Sequence, residues 1–317
     1  MMSSERRAAI DCGSNTTRLL ITEAGRDLVR ESHITGLGKG LATTGRMSQE
    51  AIDRCVAVLG QYRDRIDLHE VTAIRAIATS ASRDADNAVE FFDAAEFALG
   101  IRPEVISGSN EAALGFAGAT GGLSSTGSVM VVDIGGGSTE FSVGNVVDGA
   151  GTLSDAISIN MGSVRFTDTY LQHDPPQPEE LTSLLSMVEA HLDDVIRTVP
   201  GAGSVSTVVA VAGTATTVAA VEIGLLEYDS EAIEGFILSR SAAEDVFRTL
   251  ATEPLADRIH NPGLPRGRAD LIVAGCAILV GVMRFFDLDE VVIREHDILD
   301  GLVESIDPSP GGVGLGG

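Results

Sequence analysis

Two stretches of this chain follow one plan, and that repetition limits the possible folds more than any other feature. AAIDCGSNTTRLLI (8–21) and MVVDIGGGSTEFSV (130–143) each run from an apolar strand into Asp, then one residue and Gly, then small or hydroxyl residues, then a second apolar strand. Asp11 matches Asp133, Gly13 matches Gly135, Thr16 matches Ser138 and Arg18 matches Glu140, at a constant offset of 122 residues (133 less 11). An apolar run, a tight turn and a second apolar run make a β-hairpin, and an offset of domain size marks a duplicated unit. The length of 317 residues suits two domains of roughly 100–200 residues each.

Strand and helix patterns alternate after each hairpin. Ile52, Cys55, Val56, Leu59, Tyr62 and Ile66 form a helical stripe that opens after Ser48. A strand over 71–78, a helix around 85–99, a short strand near 104–106 and a helix opening near Asn110 complete the first half. In the second half Pro178 starts a helix whose stripe is Leu181, Leu184, Leu185, Val188, Leu192 and Val195. A buried strand over 206–213 and helices around 240–251 and 268–286 follow. The pattern predicts two α/β domains flanking a cleft. Their expected bounds are 1–122 and 123–297, with 298–306 packing back on the first and a disordered Pro/Gly-rich tail over 307–317.

The formal charge of −24 excludes a nonspecific nucleic-acid binder, whose affinity comes from Lys and Arg on phosphates. An anionic substrate therefore needs a local site of amide donors, arginines and a metal ion. Cys12, Cys55 and Cys276 have no CxxC or Cys/His spacing and read as buried apolar residues in a reducing compartment. The opening MMSSERRAAID has no signal-peptide pattern, and LIVAGCAILVGVM (271–283) is too short to span a bilayer. A cytoplasmic protein without membrane partners is expected. The six histidines show no zinc spacing, and the single lysine, Lys39, argues against Schiff-base chemistry.

DIGGGSTEF (133–141) places three glycines after a strand, where backbone amides can reach phosphate oxygens. Gly135, Gly136, Gly137 and Ser138 are the phosphate-binding candidates, and Asp133 and Glu140 offer the hard oxygen ligands that Mg²⁺ takes. A plain hairpin turn is the bland alternative, and the second copy at 11–18 weighs against it. That copy supplies Asp11 as a further metal ligand and Gly13, Ser14, Asn15, Thr16 and Arg18 as phosphate contacts. Arg18 points to substrate, to a structural carboxylate or, since side chains alternate along a strand, to solvent. Arg83, in a small-residue turn after a strand, is positioned to clamp a phosphate. Gly213 and Thr214 open a strand-to-helix turn that is either an anion site or an ordinary cap. Arg266 and Arg268 read either as a contact at the cleft rim or, as the default, as solvated loop charges. Glu111 falls in the first turn of a helix, where acids are common because of the helix dipole.

Taken in order, DCGSNTTRLL, ATSASRD, SGSNEAALGF, VVDIGGGSTEF, INMGSVRFTDTYL, VAGTATT and GRADLIVAGCAIL resemble the exopolyphosphatase/guanosine pentaphosphate phosphohydrolase (Ppx/GppA) family. The resemblance runs from Asp11 to about Leu302 and implies a duplicated actin-like, ribonuclease H-like fold. It also implies that Glu111 activates the attacking water, that Asp133 and Glu140 help hold Mg²⁺ (Mn²⁺ being the alternative), and that the Gly/Ser loop binds phosphate. Inorganic polyphosphate is the implied substrate, with pppGpp hydrolysis or non-hydrolytic sensing as competing readings, and a homodimer is implied. Many members carry two adjacent acids where this chain has Asn110 and Glu111. Larger members append an HD-type domain, so a short two-domain form and short polyphosphates are expected here.

Overall fold

A computed structural model describes residues 6–306 of the chain; the tail expected over 307–317 lies outside the described residues. The first half contains β1 (Arg6–Cys12), β2 (Thr16–Glu23), β3 (Arg26–Ile34), α1 (Leu41–Thr44), α2 (Gln49–Leu68), β4 (Ala73–Ala78), α3 (Ser80–Asp84), α4 (Ala88–Leu99), β5 (Glu104–Val105) and α5 (Gly108–Thr120). The second half opens with β6 (Gly127–Ile134), β7 (Thr139–Val147), β8 (Ala150–Ile159), α6 (Ser163–Tyr170) and α7 (Pro178–Thr198). It continues with β9 (Thr207–Val211), α8 (Ala212–Ile223), α9 (Ser230–Ile233), β10 (Ile237–Ser239), α10 (Arg240–Thr252) and α11 (Leu255–Arg258). Helix α12 (Ile272–Phe285), β11 (Glu290–Ile293) and α13 (Ile298–Glu304) close it.

The duplication is visible in the register. The strand orders are β3-β2-β1-β4-β5 and β10-β11-β9-β6-β7-β8. Asp11 pairs with Arg18 across the first hairpin, and Asp133 pairs with Glu140 across the second. Each turn closes with the same bond: Gly13 N donates to Thr16 O at 2.9 Å, and Gly135 N to Ser138 O at 3.0 Å. Each hairpin also continues into an antiparallel third strand, β3 or β8. The chain thus has a duplicated α/β fold, with one mixed sheet opened by an equivalent hairpin in each half.

Helices form where stripe and cap agree. Ser48 caps α2 by accepting from Ala51 N at 3.2 Å, and Ile52, Cys55, Leu59, Tyr62 and Ile66 bury one face. Helix α7 starts at Pro178, and Glu180 accepts from Gln177 N at 2.8 Å. Helix α12 is buried nearly all round, as its unbroken apolar run requires. Two crossings tie the halves together. Phe116 and Ala119 of α5 pack with Val129, Val131 and Val209 of the second sheet, while Leu299 and Leu302 of α13 pack with Ala9, Leu20 and Ile77 of the first. These two helices touch each other at Gly118 and Gly301: a β-carbon at 118 would lie 2.8 Å from Gly301 N, and one at 301 would lie 2.9 Å from Leu114 C.

Candidate active site

The two hairpin turns face each other across a cleft of about 780 Å³. Asp11, Gly13, Ser14, Asn15, Thr16 and Arg18 line it from one side, and Asp133 with the 135–138 turn from the other. A β-carbon on Gly136 would lie 3.1 Å from Asn15 N, and one on Gly137 would lie 2.5 Å from Ser80 Oγ and 2.6 Å from Ser14 Oγ. Only glycine leaves that gap open. Gly213 and Thr214 also reach the cleft, at the junction of β9 and α8. Ala212 at this junction has φ +65°, a left-handed conformation that costs a non-glycine residue energy and recurs at functional sites.

Glu111 lines the cleft from the first turn of α5, whose cap Ser107 accepts from Asn110 N at 3.2 Å. Arg83 donates to Glu111 Oε2 at 2.6 Å and to Ile106 O at 3.0 Å. Burial pushes the Glu111 carboxyl up to about 7 against the pull of Arg83. A carboxylate tuned to this range is suited to general-base work near neutral pH. Asp133 is pushed up to about 8 by burial and then by Asp297, with Arg18 opposing and Glu111 and Asp11 adding to the rise. Glu140 is raised well above its ordinary value by burial and by its neighbours Glu111 and Asp133. Asp11 is raised by burial, with Arg18 opposing.

Several expected contact residues also have partners within the protein. Arg18 lines the cleft and is held there by Asp11 at 2.7 Å and by Asp297. Burial opposes its charge, yet the two aspartates keep it fully protonated. Arg83 is absent from the cleft lining and is spent on Glu111. Glu140 is likewise absent from the lining; it is buried and accepts from Ser158 Oγ at 2.6 Å. Arg268 corrects the reading of a solvated loop charge: it lines the cleft and donates to Gly213 O and, at 3.0 Å, to Thr217 Oγ1. Burial lowers its affinity for the proton. Thr79, Ser80 and Ser163 also line the cleft. The first two stand in ATSASRD and the third in INMGSVRF, so the motifs were visible although these members were not singled out.

Among the described residues, no group of three or more His, Cys, Asp or Glu side chains is arranged to cage a metal. The donor set nevertheless fits a hard divalent cation completed by substrate oxygens. Asp11 Oδ1 is buried with no hydrogen-bond partner, and Asp11, Asp133, Asp297, Glu111 and Glu140 repel one another around too few cations. Mg²⁺ commonly takes one or two carboxylates and fills its remaining positions with water and phosphate. Ser80 Oγ, on the cleft wall, is also buried without a partner. The arrangement offers amide and hydroxyl donors to a multivalent anion, a cation seat, and a tuned carboxylate beside both.

Comparison with known proteins agrees with this chemistry. The Ppx/GppA phosphatase family matches residues 21–309. Exopolyphosphatase 2 of Mycobacterium tuberculosis is 36% identical, with the match covering 96% of this chain and 99% of that protein. The crystal structure of an exopolyphosphatase-like protein superposes with a TM-score of 0.90 at 34% identity, covering 95% of this chain and 98% of the other. The Aquifex aeolicus Ppx/GppA family member superposes with a TM-score of 0.78 at 31% identity, covering 95% and 97%. With the family matched over residues 21–309 and a relative 36% identical over nearly the full length of both chains, the chain belongs to the Ppx/GppA phosphatase family, whose members hydrolyse phosphoanhydrides.

Proposed function

We propose that this protein is an exopolyphosphatase that removes orthophosphate from the end of inorganic polyphosphate. The observation that supports this most is the pair of equivalent turns, 13–16 and 135–138, lining one cleft with Glu111 beside them. A polyanion bound there meets donors on two walls at once. The amides of both turns, with Ser14, Ser138 and Thr214, hold the terminal phosphates and fix the scissile bond. Asp11 and Asp133 are the residues that would hold Mg²⁺, or Mn²⁺ in its place; Glu140, the partner of Asp133 across the hairpin, shapes the field around them. A bound divalent cation supplies charge neutralisation for the phosphate oxygens.

Phosphoryl transfer asks the protein mainly for positioning and charge stabilisation. Glu111 orients a water opposite the leaving phosphate and takes its proton at Oε1 or Oε2 as the oxygen attacks phosphorus. Arg83 fixes the Glu111 carboxylate so that it points into the cleft. General-base assistance is worth ~10²–10⁴-fold. Glu111→Gln is therefore expected to fold normally and lose at least about a hundredfold in kcat. Phosphate release from short and long polyphosphates, pppGpp and ATP, with Mg²⁺ and with chelator, is the test. Cation-dependent release that is highest on polyphosphate is expected; release highest on pppGpp, or binding without release, would replace the proposal.

The three thiols are buried and unpaired, which fits a reducing cytoplasm. No helix among the described residues is long and apolar enough to cross a membrane. A homodimer is part of the same reading, and a monomer in sedimentation at micromolar concentration would remove it.

A further inference from the structure

The chain's only lysine sits on a strap that joins the two walls of the cleft. The strap follows β3. Thr35 N and Gly36 N both donate to Asn15 O at 2.9 Å, and Gly38 N donates to Ser14 O at 2.7 Å, so its base rests on the first phosphate turn. It then crosses to the second half, where Gly40 N donates to Asp168 Oδ2 of α6 at 2.6 Å. Lys39 lies between those anchors and bonds Asp270 Oδ2 at 3.1 Å. Asp270 stands between Arg268 and Leu271, both of which line the cleft. The Lys39–Asp270 pair therefore bridges the rim from one wall to the other.

Two properties suit this bridge to exchange rather than to permanent closure. The side chains are 62% and 38% exposed, and an ion pair so open to water contributes little to stability. Lysine is also a point charge on a flexible stem, able to swing between partners without losing a fixed fork geometry. Its neighbours Asp168 and Asp270 are both acidic, so a phosphate arriving at the rim competes with carboxylates for one cation. With the terminal phosphates in the cleft, a longer chain that passes Arg268 meets this rim, because Arg268 of the lining stands two positions before Asp270.

We propose that Lys39 is a chain-length-determining residue, which leaves Asp270 to bind a phosphate of the substrate segment outside the cleft. The inference rests on the polyphosphate reading above and adds the residue that distinguishes long chains from short ones. KM and kcat on tripolyphosphate and on a long polyphosphate provide the first readout. Lys39→Met is expected to raise KM for the long chain by about fivefold, with kcat little changed and a smaller effect on tripolyphosphate. Lys39→Arg should restore most of the long-chain KM, and Asp270→Asn, by freeing the ammonium, should lower it.

Binding of the long chain to Glu111→Gln with and without Lys39→Met is the second readout, and it does not depend on turnover. If the long chain binds and Lys39→Met weakens it while no protein hydrolyses it, the hydrolase reading falls and the role of Lys39 stands. Equal changes on both substrates, the same direction of change in Lys39→Met and Asp270→Asn, or no change in either variant would mean that the strap only joins the walls. Absence of long-chain binding would overturn the proposal as well.

Discussion

Glu111 shows how the proton affinity of one side chain is set by what surrounds it. Burial alone would hold its proton too tightly, and Arg83 at 2.6 Å pulls the value back to about 7. The raised value gives a definite sign. The carboxylate is protonated below that range, so a reaction that needs it as a base is present above about pH 7 and lost as pH falls through it. The kcat/KM profile should carry this acidic limb. Arg83→Met, which removes the opposing charge, should move the limb to higher pH. A flat profile, or a limb that moves down in Arg83→Met, would remove the pair from the mechanism. Glu111 stands out through the family resemblance of SGSNEAALGF, since its place in the first turn of a helix suits any acid. The cationic surroundings were not legible: Arg18 meets Asp297 across 279 positions, and Arg268 meets Gly213 across 55. No local pattern encodes contacts at such separations, which is why both arginines were open to other readings.

At the scale of elements, the two glycine sets do different work. Gly118 and Gly301 let α5 and α13 touch backbone to backbone, and this contact carries Glu111 at one end of α5 and the Arg18 partner Asp297 at the start of α13. Gly301→Ala should cost about 1–3 kcal/mol, because the added methyl meets the backbone around Leu114, which cannot move aside. Gly137→Ala instead places a methyl between Ser14 Oγ and Ser80 Oγ. It should leave the melting temperature within a few degrees and raise KM sharply. A melting curve beside a KM measurement separates the two; reversed effects would mean that the roles are misassigned. The hairpins and the buried helices could be read from sequence because their apolar residues recur at fixed spacing. The third strands could not. In β3 most positions are exposed or half-buried, so an edge strand there lacks the apolar run that announces β1.

For the whole molecule, the net charge of −24 and a polyanionic substrate are reconciled by geometry. Binding is left to backbone amides and hydroxyls of two turns gathered in one cleft. The duplication makes this possible, since repeating one hairpin supplies the same turn on both walls. The account stands on those two turns acting on one anion. A crystal structure of Glu111→Gln with tripolyphosphate and Mg²⁺ tests it most directly. Phosphate oxygens within hydrogen-bond reach of amides in both 13–16 and 135–138, with Asp11 and Asp133 at the cation, are the predicted result. A chain held by one turn alone, or bound outside the cleft, would contradict it.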